Sequence, residues 1–432
     1  MTAVARVQQA LEAAESEGKR LNAFITTMPD RALARAEALD RETGAGKNRG
    51  PLHGVPVAVK DLFYTAGVRT TGGTKVFADF IPSYDATVVT SLEEAGAVII
   101  GKTNLHELAY GITSNNPHYG AVHNPRKYDC IPGGSSGGSG AVVAAGIVPI
   151  AMGTDTGGSI RIPAAYCGTV GLKPTYGLVS RYGCQALGMT LDHMGPLAAT
   201  VHDCAIAMNA LTGRGDFDEY ASDLNGVRIG WPVNFYLDAM DPAVRVRVEH
   251  ARDAAVQAGA SVHEVQVPDI AKLNTVARVI LMCEASALMQ KHLGRREDFG
   301  LDVLALLEQG LLLPGVDYVN AQRARQAFVV EFDALFEKID CLFTPTTPIT
   351  APPIGATTVQ VDGNDEDARL ASTRLVRGIN VIGYPAISLP CGEAHGLPVG
   401  LQIVGRPFED ALPLRVAAAI EKTMASPGVS PA

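Results

Sequence analysis

The sequence predicts an α/β protein built around a parallel or mixed β-sheet. Segments with helical periodicity alternate with short apolar runs that have the length of buried strands, which is the pattern of βα units. The composition agrees, because 47% of the residues are hydrophobic and 19% are charged. No linker or internal repeat interrupts the 432 residues. We therefore expect one domain over residues 1–432, in which the helices of about 222–340 form a variable cover over the sheet.

The N-terminal part of the chain has the clearest alternation of helices and strands. Apolar residues recur there with the period of an amphipathic helix, and the apolar runs between them are continuous, as in strands buried on both faces. The predicted elements, in chain order, are helices near 2–17 and 30–42, a buried strand at 55–59, a helix at about 86–96, a strand at 98–100 and a short helix after 101–104.

Residues 111–200 differ, because they are rich in glycine and contain few long periodic stretches. Glycine loses much conformational entropy on folding, so such loops are expected where the backbone must approach a ligand. Beyond them the pattern becomes mostly helical and then returns to strands. The elements predicted there are helices near 242–258, 270–293 and 317–338, strands at 261–267, 386–389 and 401–404, and a closing helix from Ala411.

The charge pattern excludes several classes of partner. The net charge is −9, and Arg245, Arg247 and Arg252 alternate with acidic residues, so no basic stripe is available for a nucleic acid. The longest nearly apolar run, residues 141–152, is too short to span a membrane. The N-terminus lacks the apolar segment of a signal peptide. We therefore expect a soluble, cytoplasmic protein without nucleic-acid or membrane partners.

Cysteine and histidine are not arranged for disulfides or for metal binding. The seven cysteines are spread out without a CxxC pair, which is typical of reduced thiols. The ten histidines form no HExxH motif and no pair at ligand spacing with cysteine, so no metal site is expected.

Lys60 ends a strand that is otherwise wholly apolar. A lysine at a strand end commonly extends its ammonium group into solvent, and that arrangement is the more frequent one. If the group is buried instead, its pKa falls and the neutral amine can accept protons near neutral pH. Lys60 is therefore a candidate general base.

A glycine-rich loop, Gly133–Gly140, places Ser135 in the G-x-S-x-G pattern of the nucleophile elbow of α/β-hydrolases. The elbow requires an apolar strand just before it, and residues 124–132 do not have that pattern. The spacing also differs from dinucleotide and P-loop fingerprints, and no lysine follows. The glycines alone are equally compatible with an anion-binding turn and with a tight structural turn.

A second loop, Asp155–Arg161, places Ser159 directly behind two glycines. Successive backbone N–H groups beside a serine are what an oxyanion hole requires. Asp155 and Arg161 flank the loop and could pair to hold it. A serine is a poor nucleophile unless a base takes its proton, and neither loop contains a histidine. A lysine must supply that base, directly or through another hydroxyl.

The two loops and several segments around them resemble the amidase signature family. Recognisable similarity covers about 50–215 and 340–420, and chance agreement over motifs of this length is negligible. The segment 54–61 resembles the lysine strand of the family. All the matching segments are 54–61, 101–104, 133–139, 153–165, 167–177, 344–348 and 383–387.

The resemblance implies a fold and a role for each site residue. The implied fold is a single α/β/α sandwich around a large mixed β-sheet. By position, Ser159 matches the nucleophile, Ser135 the proton relay after a cis bond with Gly134, and Lys60 the base. Ser136 is the nearest competitor for the relay, but the 24-residue spacing to Ser159 favours Ser135. No metal or organic cofactor is implied. The implied oxyanion hole consists of the backbone amides of Thr156, Gly157, Gly158 and Ser159.

The resemblance predicts a hydrolase that cleaves the C–N bond of a small amide, or a related acyl-nitrogen compound, through an acyl-enzyme. The alternative within the family is the glutaminase subunit of the aspartyl/glutamyl-tRNA amidotransferase, which residues 176–183 resemble strongly. Those subunits usually run longer. They also carry an acid, absent from residues 372–377 here, that holds the substrate α-amino group. A stand-alone amidase is therefore favoured, and retention of the three catalytic candidates argues against an inactive scaffold.

The sequence does not name the substrate. Ala109 and Tyr110 align with positions that line the acyl pocket in relatives, and Tyr110 favours an aromatic or compact acyl group unless it is simply a core residue. Aryl amides, short aliphatic amides, ureas and carbamates remain open. The expected partner is a small-molecule amide, and a homodimer is compatible with the sequence.

Overall fold

Short strands run through almost the whole chain, and most of them join one sheet. The structure is a computed structural model that describes residues 1–218 and 223–425. Within those ranges the strands, in chain order, are β1 (Phe24–Thr27), β2 (Pro56–Lys60), β3 (Val98–Thr103), β4 (Asn115–Asn116), β5 (Gly120–Ala121), β6 (Ile150–Asp155), β7 (Val170–Lys173), β8 (His193–Ala198), β9 (Arg228–Pro232), β10 (Ser261–Val265), β11 (Cys341–Pro345), β12 (Thr358–Val361), β13 (Asn364–Asp367), β14 (Ala386–Ala394) and β15 (Leu397–Val404).

In the described part of the chain, eleven of these strands form one sheet in the order β1-β3-β2-β6-β8-β7-β14-β15-β11-β9-β10. Strand β2 pairs in parallel with β3 and β6, and β9 pairs in parallel with β10 and β11. The remaining pairings in this sheet are antiparallel. The sheet is therefore mixed, which confirms the predicted fold class. Strands β4 and β5, and likewise β12 and β13, form separate two-stranded sheets.

Helices fill most of the connections between the strands. Within the described ranges, no helix has both the length and the hydropathy needed to cross a membrane. A π-helical turn extends the first helix over Ala14–Gly18, and a 3₁₀ turn occupies Glu107–Ala109. The α-helices are α1 (Ala3–Ala13), α2 (Pro29–Gly44), α3 (Thr87–Glu94), α4 (Gly137–Ala144), α5 (Arg161–Cys167), α6 (Val201–Thr212), α7 (Pro242–Gln257), α8 (Ile270–Met289), α9 (Leu301–Leu311), α10 (Gly315–Phe336), α11 (Ala368–Thr373), α12 (Arg377–Ile382) and α13 (Ala411–Met424).

Helices cover both faces of the sheet, because successive side chains of a strand point to opposite faces. Val57 and Val59 of β2 pack into a core with α3, α6, α7 and α13, whereas Ala58 packs on the other side with α1, α2 and α4. In the same way, Phe343 of β11 joins the first core and Leu342 joins a core with α8, α10 and α12. The result is the α/β/α sandwich that the resemblance implied.

The segment 222–340 is more than a helical cover. Its first part adds β9 and β10 to the edge of the main sheet. The second of these strands was predicted, but Arg228–Pro232 was not, because Gly230 and Pro232 weaken its local strand signal. Pairing with β10 on one side and β11 on the other holds it in the sheet. Helices α9 and α10 both pack on α8, which also contacts α12.

The cysteines all lie in the described ranges and are free thiols. Burial is not uniform among them, because two are partly exposed, Cys184 and Cys283. The buried ones are Cys130, Cys167, Cys204, Cys341 and Cys391.

Candidate active site

The predicted base and the second glycine loop come from neighbouring strands. Strands β2 and β6 pair in parallel, with Val59 opposite Met152, so both end at the same edge of the sheet. Lys60 is the last residue of β2, and Asp155 is the last residue of β6. The loop that carries Ser159 starts at this point, so the topology of the sheet brings the lysine close to that loop.

The Lys60 side chain is fully buried and does not extend into solvent. Its Nζ lies 2.7 Å from Ser135 Oγ, 3.0 Å from Ser136 Oγ and 2.7 Å from Thr154 Oγ1. Burial lowers the pKa of this amine from 10.5 to about 7, although nearby thiol and carboxyl groups act in the opposite direction. A substantial fraction of Lys60 is therefore neutral near pH 7.

Ser135 and Ser136 both contact the Lys60 amine, but they differ in whether the hydroxyl hydrogen is already donated to another group. A cis peptide bond joins Gly134 to Ser135, as the resemblance implied. The Ser136 hydroxyl donates to Thr154 O at 3.1 Å and accepts the Thr154 N–H at 3.2 Å, so its single hydrogen is committed to β6. Within the described residues the Ser135 hydroxyl has no such acceptor, which leaves it able to donate to neutral Lys60.

Ser159 precedes α5 and lies beside the loop that carries Ser135. The Ser136 N–H donates to the Ser159 carbonyl at 3.3 Å, which connects the two loops. Ser159 is 5% exposed and lines a small cavity. In the part of the chain that the structure describes, no hydrogen bond joins the side chains of Ser135 and Ser159. Catalytic hydrogen bonds often tighten only when a substrate is bound.

The backbone amides around Ser159 are not equivalent. Among the described residues, the N–H groups of Thr156, Gly157 and Ser159 have no acceptor. The Gly158 N–H donates to Asp155 Oδ1 at 2.7 Å, so it is already occupied. This corrects the expectation that all four amides are available to an oxyanion. Gly158 shapes the turn instead: its φ is +117°, and a Cβ there would lie 2.4 Å from a neighbouring valine side chain.

Asp155 and Arg161 form a fully buried ion pair behind the loop. Arg161 Nε and Nη2 each lie 3.0 Å from a carboxylate oxygen, which is a bidentate arrangement. Its other contacts are to Val376 O at 3.1 Å, Gln402 Oε1 at 2.5 Å and Asn380 Oδ1 at 2.6 Å. Burial by itself would raise the pKa of Asp155, but Arg161 outweighs burial and holds that pKa well below its usual value. The pair therefore stays charged and fixes the loop.

Sequence reasoning did not assign Thr154, Asn380 or Gln402 to the site. Thr154 lies inside a matched motif, but a threonine in a strand gives no signal that it will contact a lysine. Asn380 and Gln402 are 219 and 241 residues from Arg161 in the chain. Only Asn380 carried a usable signal, because it begins the Asn-x-x-Gly-x-Pro turn.

Ala109 and Tyr110 line the same small cavity as Ser159. Ala109 ends a 3₁₀ turn, and Tyr110 directly follows it. Within the turn, Leu108 and Ala109 have φ values of +52° and +60°, which are uncommon for residues other than glycine. The Tyr110 hydroxyl is buried without a hydrogen-bond partner, and burial raises its pKa to about 12. Residues of this cavity that were not predicted include Leu187, Leu281, Arg369, Thr373 and Arg377.

Two larger cavities of the described structure share no lining residue with this one. One of about 320 Å³ is lined by Leu62 and His292 among others, and one of about 420 Å³ by Cys283 and Tyr318 among others. Neither is lined by the candidate lysine and serines. Within residues 1–218 and 223–425, no group of three or more His, Cys, Asp or Glu side chains could hold a metal ion.

Comparison with known proteins finds relatives that match nearly the whole chain. A family model described as Amidase matches residues 5–414. The A subunit of the glutamyl-tRNA(Gln) amidotransferase of Koribacter versatilis (strain Ellin345) is 38% identical, over 98% of this chain and 96% of the relative. A crystal structure of an amidase is 36% identical with a TM-score of 0.92, over 98% of this chain and 96% of that one.

A second solved structure is described as a vestigial protein complex that reveals the evolutionary origins of an s-triazine catabolic enzyme. It is 36% identical with a TM-score of 0.93, over 98% of this chain and 95% of that one. The family match extends over nearly the whole chain, and the relatives exceed 30% identity over almost all of it. This chain therefore belongs to the amidase signature family and is a hydrolase of carbon–nitrogen bonds.

Proposed function

We propose that the chain hydrolyses a small amide, or a related acyl-nitrogen compound, with Ser159 as nucleophile, Ser135 as proton relay and Lys60 as base. The observation that carries this proposal is the 2.7 Å contact between a fully buried lysine amine and the Ser135 hydroxyl. Because the pKa of that amine is about 7, it can be neutral and accept a proton at physiological pH. A solvated lysine would be charged and unable to do so.

In the acylation step, neutral Lys60 accepts the proton of Ser135, which in turn accepts the proton of Ser159. The Ser159 oxygen forms a bond to the carbonyl carbon of the substrate. The negative charge that develops on the carbonyl oxygen is stabilised by backbone N–H groups of the loop, for which Thr156, Gly157 and Ser159 have donors available. The proton then returns through Ser135 to the leaving nitrogen as the C–N bond breaks.

In the deacylation step, water replaces the amine. Lys60 accepts a proton from the attacking water through Ser135, and the water oxygen bonds to the acyl carbon. The ester bond to Ser159 breaks, the proton returns to the Ser159 oxygen, and the free carboxylic acid leaves. Every proton in this sequence is carried by side chains of the chain, with the Asp155–Arg161 pair holding the loop in place.

A stand-alone amidase is favoured over a glutaminase by the residues near Ser159. Thr373 lies in the segment where the glutaminase subunits carry an acid, and it lines the cavity of Ser159. Its hydroxyl accepts a hydrogen bond of 2.8 Å from Arg377 Nη2, so this part of the cavity is positive. The α-ammonium group of glutamine would find no carboxylate partner there and would be repelled by the guanidinium, at a cost of several kcal/mol in a desolvated pocket.

The second candidate is the glutaminase component of an amidotransferase, which requires partner subunits. It is favoured by the curated relatives, because the Koribacter protein bears the name of such a component and aligns over 96% of its length. The net charge of −9 gives no reason to expect that this chain binds tRNA by itself.

The deciding experiment is a side-by-side assay of ammonia release from glutamine and from propanamide, with and without amidotransferase partner subunits. We expect the purified chain to hydrolyse the simple amide alone, with glutamine a poor substrate whether or not the partners are present. Activity confined to glutamine and dependent on those subunits would establish the second candidate instead. Labelling with a fluorophosphonate separates both from an inactive scaffold, because only an activated Ser159 should react.

A further inference from the structure

Three arginines surround the space that extends outward from Ser159. The small cavity that contacts Ser159 shares Tyr110, Leu281, Arg369 and Arg377 with a neighbouring cavity of about 190 Å³. Arg278 also lines the neighbouring cavity. We refer to Arg278 of α8, Arg369 of α11 and Arg377 of α12 as the arginine cluster. The three side chains come from different helices, and all of them line the cavity of about 190 Å³.

The arginine cluster forms no ion pair in the described structure, and Asp302 and Asp367 attract Arg369 only from a greater distance. No carboxylate lies within 4.0 Å of any of its three guanidinium groups among the described residues. Asp367 is the one carboxylate that lines the larger cavity, and its Oδ1 accepts the N–H of Leu370 at 2.8 Å to cap α11. The cavity next to the nucleophile is therefore lined by three positive charges and one negative charge.

Two buried polar groups in this space also lack partners. Arg377 is 8% exposed, and its Nε makes no hydrogen bond. The hydroxyl of Tyr110 is likewise unpartnered, and the guanidinium of Arg369 lies 5.8 Å from the centre of the Tyr110 ring. Unpaired buried donors destabilise a fold unless a ligand accepts from them. The Arg377 Nε–H can only donate and the Tyr110 hydroxyl is able to donate, so a ligand with acceptor atoms would satisfy both groups.

The charges of the cluster repel one another. Burial, followed by repulsion from Arg369 and Arg278, lowers the pKa of Arg377 to about 9. An anion between these guanidinium groups would reverse this effect, because it would supply the attraction and the hydrogen-bond acceptors that the chain lacks. Planar carboxylates fit guanidinium groups well, since two oxygens can accept from two N–H groups at once.

We propose that the substrate carries a carboxylate which the arginine cluster and the Tyr110 hydroxyl bind while Ser159 attacks its acyl-nitrogen group. The Nε of Arg377 lies only 3.7 Å from the position that a Cβ on Gly157 would occupy. The carboxylate would thus be held next to the loop whose amides receive the oxyanion. This restricts the substrate class to short acids whose carboxylate lies a few atoms from the scissile carbonyl. The inference rests on the proposed role of Ser159.

The first test compares charged amides with neutral amides of the same shape. The monoamides of malonic, succinic and glutaric acid are each assayed against the amide in which an isopropyl group replaces the carboxylate. We expect at least one acid to be favoured by about 100-fold or more in kcat/KM. Hydrolysis of the neutral amides at equal or higher kcat/KM would overturn the inference while leaving the proposed function intact.

The second test uses Arg369→Gln, with Arg323→Gln as a matched control. Arg323 is an exposed residue of α10 that lines neither cavity. The ratio of kcat/KM between the acid and its neutral analogue should fall about tenfold or more in Arg369→Gln. It should stay at the wild-type value in Arg323→Gln. An unchanged ratio in Arg369→Gln, or an equal fall in the control, would contradict the assignment.

A third test does not depend on finding the right amide. Malonate, succinate or glutarate should protect Ser159 from fluorophosphonate labelling in the wild-type chain, and Arg369→Gln should weaken that protection. Labelling without protection by any of the diacids would overturn the inference. Protection by inorganic phosphate but by none of the diacids would also overturn it, because the cluster would then be a site for a free anion. Failure of labelling itself would instead reject the proposed role of Ser159.

Discussion

The candidate active site and the arginine cluster are neighbouring regions in which the buried charges are balanced differently. Behind Ser159, the buried Arg161 has acceptors for its donors, two of them on Asp155. In the cluster, Arg377 is also buried but keeps an unpaired Nε and has no carboxylate within ion-pair distance among the described residues. The Asp155–Arg161 pair that supports the first region is complete without a ligand. The arginine cluster has unpaired donors, as expected of a surface that binds a ligand.

Lys60 and Arg377 are both buried cations, but burial lowers their pKa values to different levels. Burial lowers the pKa of Lys60 to about 7, so the amine can exchange its proton within the physiological range. The pKa of Arg377 falls only to about 9, so the guanidinium keeps its charge at neutral pH. A buried lysine is therefore suited to move protons, whereas a buried arginine is suited to hold an anion. The predictions below test the proton-transfer role of the first region and the residues that support it.

The largest effect is expected for Ser159→Ala. Removal of a covalent nucleophile should reduce kcat by on the order of 1,000-fold or more. Thermal unfolding should stay close to that of the wild type, because the Ser159 side chain makes no hydrogen bond within the described residues. Ammonia release and a melting curve on the same preparation check both statements. A folded variant that retains a tenth of the wild-type rate would refute the assignment.

Lys60→Met should reduce kcat by about 100- to 10,000-fold, because it removes the general base while keeping the length of the side chain. The sign of the pH dependence follows from the lowered pKa. Neutral amine is the active form, so the wild-type rate should rise as the pH increases through about 7 and then level off. The exposed Lys272 provides a control, since Lys272→Met should keep both rate and profile. A flat wild-type profile with chemistry rate-limiting would argue against a lysine base.

The relay assignment predicts different results for two adjacent serines. Ser135→Ala should lower kcat by roughly 100-fold or more, because the proton path from Ser159 to Lys60 is broken. Ser136→Ala should mainly lower thermal stability, since the Ser136 hydroxyl is bonded to the backbone of Thr154. Kinetics and melting curves on both variants make the comparison. Equal losses of kcat, or a larger loss in Ser136→Ala, would transfer the relay to Ser136.

The largest effect on stability among these variants is expected for Asp155→Asn. Removing one charge of a buried ion pair costs about 3–5 kcal/mol in the free energy of unfolding, measured by urea denaturation at pH 7. The pKa of Asp155 is lower in the folded chain than in the unfolded one. Its stabilising contribution is therefore complete above the unfolded pKa and is lost as the pH falls through the folded pKa. Removing the exposed partner of Lys19 by Glu15→Gln should change stability little. Similar stabilities for both variants would contradict this account.

The sequence was most informative for features that depend only on residues close together in the chain. The apolar run before Lys60 predicted a buried strand, and β2 is buried along its whole length. The two glycine loops predicted tight backbone approaches, and at Gly158 a side chain would not fit. The pattern failed for β9, whose residues gain their strand conformation from pairing with strands distant in the chain.

Taken by itself, the sequence determined the family, the α/β fold class and the three candidate catalytic residues. Those conclusions depend on continuous motifs, whose residues stay together whatever the rest of the chain does. Only the tertiary structure decided that Gly158 has already donated its N–H, that the Ser136 hydroxyl hydrogen is already donated, and that Arg377 Nε has no hydrogen-bond partner among the described residues. Hydrogen-bond acceptors and counterions are supplied by residues far away in sequence. Whether a buried group is satisfied therefore becomes known only once the chain has folded around it.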